Sequence, residues 1–278
     1  MIYLICSIVC SSLILLLFRW FTNYGANTRH AIVVNYGVAA IIGFTFFSIP
    51  TNPLRASWFW LALMIGIGFY LGFRLIAKTT QTAGVSAASI ATKMSMIIPA
   101  LFGIIALEEG INWLKATGIV LGFLSVFAVT PSKGGMSNWV WPIVTFLVSG
   151  IIDTSLNLFQ LTLVQPNAYP MFISTISASA FLSGMIHHSW LPDKKIARTS
   201  FTGGLLLGIV NFGSLWFILN VLSLPNWESS VVFPVNNVGI VALSSILAIV
   251  IFKESTSARG LLGLFVSIVS ITLLYLSQ

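Results

Sequence analysis

The sequence has 278 residues, of which 57% are hydrophobic and 7% are charged. Soluble domains carry about 25% charged residues, so 13 basic and 6 acidic side chains are too few to cover a globular surface. The formal net charge of +7 does not indicate nucleic-acid binding, because Lys and Arg lie between apolar runs and form no basic face. Composition therefore excludes a soluble protein and a nucleic-acid partner, and it predicts an integral membrane protein.

Polar residues, Pro and Gly divide the sequence into ten apolar runs, each about the length of a membrane-crossing helix. The predicted spans are residues 2–18, 31–47, 58–77, 85–107, 113–129, 139–159, 169–186, 202–222, 229–252 and 261–276. Trp favours the membrane interface, and every Trp except Trp216 lies at or beside the end of a run. The sequence therefore predicts an all-α, multi-pass membrane protein with ten transmembrane helices.

Basic residues indicate the orientation of these helices, because short cytoplasmic loops are enriched in Lys and Arg. Most basic residues fall at odd-numbered connections, and only Arg55 and Lys115 fall at even-numbered ones. The odd-numbered set is Arg19, Arg29, Arg74, Lys78, Lys133, Lys194, Lys195, Arg198, Lys253 and Arg259. This bias predicts that the odd-numbered connections are cytoplasmic and that both termini lie outside.

A shift of 145 residues brings two segments of the sequence into register. The apolar runs 99–109 and 244–254 both end in Glu, and a Gly follows nine residues later, at Gly118 and Gly263. Because each half holds five helices, the second half enters the membrane from the opposite side. The pattern therefore predicts two five-helix inverted repeats. The repeats cover residues 1–130 and 138–278.

Glu109 followed by Gly118, repeated as Glu254 and Gly263, resembles the paired EamA-type domains of the drug/metabolite transporter superfamily. The resemblance implies a secondary transporter that moves a small polar organic solute, such as a metabolite or an amino-acid-like compound, by alternating access. The solute site is then expected between the two repeats. Members of that family are generally drawn with both termini in the cytoplasm, whereas the charge bias here predicts the reverse. The expected location is the cytoplasmic (inner) membrane of a bacterium, and the expected state is a monomer or homodimer in contact with lipid.

The two Glu residues that carry the resemblance are interpreted as structural. A carboxylate just before a helix N-terminus is stabilised by the helix dipole. Glu109 can also meet Lys115, and Glu254 can meet Lys253 or Arg259.

Lys93 and Asp153 are ionisable residues near the middle of predicted spans four and six. Charged side chains at this depth cost about 2.5 to 3.5 kcal/mol on insertion scales, so they indicate function by default. We expect Lys93 to bind an anionic group of the solute, and Asp153 to pair with Lys93 or to carry a coupling proton. The alternative is a structural ion pair that only fixes helix packing.

Amides and aromatic residues at comparable depth complete the predicted solute site. The amides are Asn157, Asn211, Asn236 and Asn237, and the aromatic residues are Tyr70 and Trp216. Each amide taken alone is better explained as a contact between helices, and a lipid-facing position is an equally open alternative for Tyr70 and Trp216. The pair Asn236 and Asn237 has stronger support, because the 145-residue shift aligns it with Ala91 and Thr92 beside Lys93. Pro99 and Pro234 are predicted to interrupt spans four and nine, either beside a watery cavity or as simple kinks. Gly118 and Gly122 are predicted to form a face that packs against another helix.

Competing function classes have weaker support in the sequence. A zinc protease would need His-Glu-x-x-His, which His30, His187 and His188 do not form. An intramembrane enzyme and a flippase for lipid-linked substrates that use the same cavity remain the alternatives to a transporter, and a channel would need a selectivity filter. Cys6 and Cys10 supply at most two ligands for a soft metal, so no metal site is expected. No catalytic residue and no other cofactor is expected either.

Overall fold

The computed structural model describes residues 1–46, 56–83, 85–129, 140–189, 196–225, 227–252 and 258–277. Over these ranges the fold is all-α, with eleven α-helices, a 3-10 turn at Pro166–Ala168 and no strand. The helices are α1 (Ile2–Asn23), α2 (Thr28–Phe46), α3 (Phe59–Ala83), α4 (Val85–Met94), α5 (Ile97–Ala106), α6 (Trp113–Val129), α7 (Val140–Thr162), α8 (Tyr169–Ser189), α9 (Arg198–Leu222), α10 (Ser229–Phe252) and α11 (Ala258–Leu276).

Six helical segments among the described residues are long and apolar enough to cross a membrane. They are Phe59–Ile76, Val140–Thr162, Pro166–Ser189, Arg198–Leu222, Ser229–Ile251 and Ala258–Leu276. Three shorter apolar segments accompany them, Ile2–Phe18, Ile90–Ala106 and Trp113–Ala128. The all-α class predicted from the apolar runs is confirmed.

Predicted span four is not one continuous helix, because the chain turns at Ser95 and Met96 between α4 and α5. Pro99 has no N–H, so it cannot donate to the carbonyl of Ser95 as a helical residue would. That carbonyl accepts a hydrogen bond from the N–H of Ile98 instead, at 3.0 Å. Pro234 does not divide its span in this way, because α10 continues through it as one helix.

The described chain divides into two compact units. The first unit comprises Met1–Leu71 and Leu158–Ser223, and the second comprises Gly72–Asn157 and Leu224–Gln278. Each unit therefore draws on both predicted repeats, and α3 and α7 contribute residues to both units.

In the first unit, small residues let α2, α8 and α9 approach closely. A Cβ at Gly208 of α9 would stand 2.8 Å from the carbonyl oxygen of Asn35 in α2, and one at Gly204 would stand 2.8 Å from that of Ala31. The N–H of Asn27, just before α2, donates to Ser200 Oγ in α9 at 2.8 Å. This contact joins predicted connections one and seven, which the charge bias places on the same side.

In the second unit, α6 packs against α10 and α11 through the predicted glycine face. A Cβ at Gly118 would stand 2.7 Å from Leu274 Cγ, and one at Gly122 would stand 2.8 Å from Val238 Cγ2. The hydroxyl of Ser270 donates to the Gly118 carbonyl at 2.7 Å. The interpretation of this face as a helix contact is confirmed.

Several residues used in the sequence predictions lie outside the described residues. They are Arg55, Lys133, Lys194, Lys195, Lys253 and Glu254.

Candidate functional site

The eight residues predicted to line a solute site fall into both units. Lys93, Asp153, Asn157, Asn236 and Asn237 belong to the second unit. Tyr70, Asn211 and Trp216 belong to the first. The site is therefore built below from the second-unit residues, which include both charges.

The break between α4 and α5 is the point at which α7 approaches. Gly150 of α7 has no side chain, and a Cβ there would stand 2.8 Å from the Cβ of Ile98 in the first turn of α5. Asp153 follows Gly150 by three residues, so the two share a face of α7. The close approach at Gly150 therefore brings Asp153 to the level of the break, and Lys93 lies in the last turn of α4 before that break.

Residues of α10 also pack close to Met94 and Met96, which flank the break between α4 and α5. A Cβ at Gly122 would contact both Val238 Cγ2, at 2.8 Å, and Met96 Cε, at 3.9 Å. Val241, one turn further along α10, shares a buried apolar cluster with Met94. Asn236 and Asn237 immediately precede Val238, so the second unit brings them to the depth of the break.

Lys93 and Asp153 interact electrostatically with each other. Both side chains are partly exposed although they lie inside helices of the second unit. Within the part of the chain that the structure describes, neither forms a hydrogen bond or a salt bridge within 4.0 Å. An interacting pair that is not locked by hydrogen bonds retains donors and an acceptor for a third group. Lys93 also lies in the last turn of α4, where the helix dipole favours a cation.

Two of the predicted amides in the second unit have unused hydrogen-bonding capacity. Asn157, one turn beyond Asp153 on α7, is completely buried, and neither its Oδ1 nor its Nδ2 has a partner. Asn236 is 9% exposed, and its Oδ1 has no partner. Asn237 differs, because its Nδ2 donates to the Phe233 carbonyl at 3.2 Å. Since buried polar groups are nearly always paired, Asn157 and Asn236 indicate a place for water or a polar ligand.

The first-unit residues have separate surroundings. Tyr70 is 9% exposed and its ring lies 6.1 Å from that of His187, so it packs against α8. Asn211 is buried with an unpartnered Nδ2, and Trp216 packs against Phe217 with ring centroids 5.2 Å apart.

Glu109 has different partners from those expected. Its carboxylate accepts hydrogen bonds from the N–H and hydroxyl of Ser229 and from the N–H of Ser230, so it caps the N-terminus of α10. Lys115 is 1% exposed and pairs with Glu228 and the Gly110 carbonyl. The predicted Glu109–Lys115 contact is therefore wrong, because the fold brings a second helix end to Glu109. The Ser-Ser pair that begins an apolar run was a sequence signal for that end.

Among the described residues, no group of three or more His, Cys, Asp or Glu side chains is arranged to hold a metal ion. Cys6 and Cys10 are free and half-buried on one face of α1.

Comparison with known proteins finds similarity to a family of membrane transporters. Residues 1–131 match the EamA-like transporter family. The resemblance to the drug/metabolite transporter superfamily is confirmed by that match. A Haemophilus influenzae protein named "Uncharacterized protein" is 27% identical over 77% of this chain and 74% of its own length. A Bacillus cereus protein named "Putative sugar uptake protein" is 26% identical over 82% of each chain, and so is a Bacillus anthracis protein of the same name.

A solved crystal structure of a protein shares the fold of this chain. The TM-score is 0.78 at 13% identity, and the match covers 99% of this chain and 96% of the other. Together with the apolar helices, the family match indicates an integral, multi-pass membrane transporter.

Proposed function

We propose that this protein is a secondary transporter that moves a small polar organic solute across the bacterial cytoplasmic membrane by alternating access. Ten membrane-spanning segments, with α4 and α5 as the two halves of one, form two inverted five-helix repeats. The solute binds at the α4–α5 break, and no reaction is catalysed. The observation that carries this proposal is the Lys93–Asp153 pair beside that break.

Broken helices support this proposal on physical grounds. Irregular backbone at membrane depth is tolerated only where it is buried in protein or lines a watery cavity. Transporters use such breaks to bind polar groups near the midplane. Here the break also has two partly exposed charges and two unpartnered amides beside it, which a purely structural kink does not require.

Two solute classes fit these residues. The Bacillus relatives are named for sugar uptake, and a sugar's hydroxyl groups both donate to and accept from amides such as Asn157 and Asn236. The charges of Lys93 and Asp153 cancel, which suits a neutral polyhydroxylated solute. An amino-acid-like zwitterion is the second candidate, because Lys93 can bind its carboxylate while Asp153 binds its ammonium group. A proton carried by Asp153 is the candidate coupling ion.

A solute screen in proteoliposomes tests the proposal. Radiolabelled sugars and amino acids are offered to the purified full chain with and without a pH gradient, and uptake is measured against concentration. We expect saturable, counterflow-competent uptake of one class. The matched site variant is Lys93→Met with Asp153→Asn, which removes both charges together, and Arg198→Gln is the control for loss of a cation elsewhere.

The expected result is uptake by the wild type and by Arg198→Gln, and none by the double variant. Wild-type uptake rates in a folded double variant would overturn the site. Uptake that rises linearly with concentration and shows no counterflow would indicate a channel.

A further inference from the structure

The junction between Glu109 and α10, which the proposed mechanism does not yet use, connects two elements of the solute site. Glu109 Oε1 accepts from the Ser229 N–H at 2.8 Å and from the Ser229 hydroxyl at 2.6 Å. Glu109 Oε2 accepts from the Ser230 N–H at 2.8 Å. We refer to Gly103, Glu109, Ser229 and Ser230 as the latch.

The backbone around Glu109 is shaped for this contact. Glu108 adopts a left-handed conformation with φ 55°, which L-residues rarely adopt, and this turns the chain back after α5. The Glu109 N–H then bonds to the Gly103 carbonyl at 3.2 Å. A Cβ at Gly103 would stand 2.5 Å from Ser229 Oγ and 2.6 Å from Glu109 Oε2, so only Gly leaves room for the carboxylate and hydroxyl together.

The two helices that the latch joins both extend into the proposed site. Helix α5 begins at the break beside Lys93 and ends three residues before Glu109. In α10, Asn236 lies seven residues beyond Ser229, about 10 Å along the helix axis. The latch therefore ties together, at one end, the helix that starts at the break and the helix that carries Asn236.

The first turn of α10 depends on the latch more than an ordinary helix start does. Pro234 has no N–H, so the carbonyl of Ser230 receives no helical hydrogen bond from position 234. Glu228, the residue before α10, uses its carboxylate Oε2 to bind Lys115, and among the described residues its carboxylate makes no hydrogen bond to the N-terminus of α10. A carboxylate supplied from the α5–α6 turn takes that place.

We infer that Glu109 is a positioning residue of the solute site. Its three hydrogen bonds hold α10 against α5 with Asn236 in place, and the two helices separate at this end only when those bonds open. The inference rests on the proposed transport function for its consequence, but the latch itself can be measured without any solute.

Thiol labelling of a buried cysteine in the first turn of α10 measures opening of the latch. The probe is Val231→Cys, placed where the side chain is 0% exposed, in the full chain with Cys6→Ser and Cys10→Ser, and the reagent is N-ethylmaleimide. The variants are Glu109→Gln and Ser229→Ala. Glu108→Gln is the matched control, because Glu108 is an exposed neighbour outside these hydrogen bonds.

Glu109→Gln places an amide N–H₂ where an acceptor is needed, so at least one charge-assisted bond is lost. We expect labelling to accelerate about tenfold, which corresponds to about 1.4 kcal/mol. Ser229→Ala loses one bond of three and should give a smaller increase, Ser229→Thr should restore the slow rate, and Glu108→Gln should match the wild type. In proteoliposomes, Glu109→Gln and Ser229→Ala should raise KM for the solute with the maximal rate per folded protein retained.

Slow labelling and unchanged KM in folded Glu109→Gln and Ser229→Ala would overturn the inference, because a merely structural role lowers only the amount of folded protein. If Glu109→Gln does not fold, Ser229→Ala and its Thr counterpart decide the outcome. If Glu109→Gln and Ser229→Ala are labelled fast but the wild-type protein transports no solute, the result would support the latch and overturn the proposed function. Transport with wild-type KM, together with slow labelling, in every latch variant would support the proposed function and overturn the inference about Glu109.

Discussion

Ile98 occupies the space that a side chain at position 150 would need. A Cβ built on Gly150 would stand 2.8 Å from the Cβ of Ile98, a separation that real Cβ atoms do not adopt. Since a Cβ is fixed by its own backbone, α5 and α7 would have to move apart to accept it. This contact brings Asp153 to the level of the α4–α5 break, so the proposed site depends on a glycine that itself offers no group to a solute.

Gly150→Ala tests this dependence. Overpacking of this kind costs about 1–3 kcal/mol, so we expect a lower melting temperature in detergent and weaker solute uptake. Ile98→Ala in the same chain removes the colliding side chain, and the double variant should regain most of the stability lost by Gly150→Ala. A melting temperature for Gly150→Ala equal to that of the wild type would contradict the close packing.

Single and paired neutralisation of Lys93 and Asp153 separates a structural pair from a functional one. Removing one partner of the pair lowers the free energy of unfolding by up to about 3 kcal/mol. The loss is smaller than for a fully buried pair, because both side chains are partly exposed. We expect Lys93→Met and Asp153→Asn each to lower the melting temperature, and the double variant to restore it. Uptake should stay absent in all three, so a stable double variant that transports would leave the pair a purely structural role.

The glycine face of α6 predicts a graded loss of stability. Gly118→Ala places a Cβ 2.7 Å from Leu274 Cγ and pushes away the helix that donates the Ser270 hydrogen bond. We expect a loss of about 1–3 kcal/mol, measured as a lower melting temperature. Gly110→Ala is the control, because a Cβ there meets nothing within 4 Å. Equal melting temperatures for the two variants would argue against tight packing of α6 on α11.

Accessibility of single cysteines tests the predicted orientation. Gly110 lies in an even-numbered connection, and Ala197 in an odd-numbered one, and both are exposed. In a chain with Cys6→Ser and Cys10→Ser, an impermeant maleimide added to intact cells should label Gly110→Cys and spare Ala197→Cys. The opposite pattern would place both termini in the cytoplasm, as the family is generally drawn.

The positions of the helices were predictable because membrane insertion depends on a local property, the length of an apolar run. The C-terminal ends of three helices lie within one residue of the predicted span ends. These helices are α2, which ends at Phe46, α9, which ends at Leu222, and α10, which ends at Phe252. The break after Met94 was not predictable, because Pro99 and Pro234 give the same local signal. Only the structure distinguishes them. After α4 the chain forms a turn in which the freed carbonyl of Ser95 accepts a hydrogen bond from the Ile98 N–H.

The candidate site was predictable in its charges and not in its contacts. Lys93 and Asp153 were evident because ionisable residues inside apolar runs are costly and therefore rare. The partner of Glu109 lies 120 residues away along the chain, and the choice between Lys115 and Ser229 depends on which helix ends meet. The sequence by itself thus determined which segments are apolar helices and which charges lie within them. The tertiary structure alone decided which helix faces approach closely, because that depends on the shapes of distant residues such as Gly150 and Ile98.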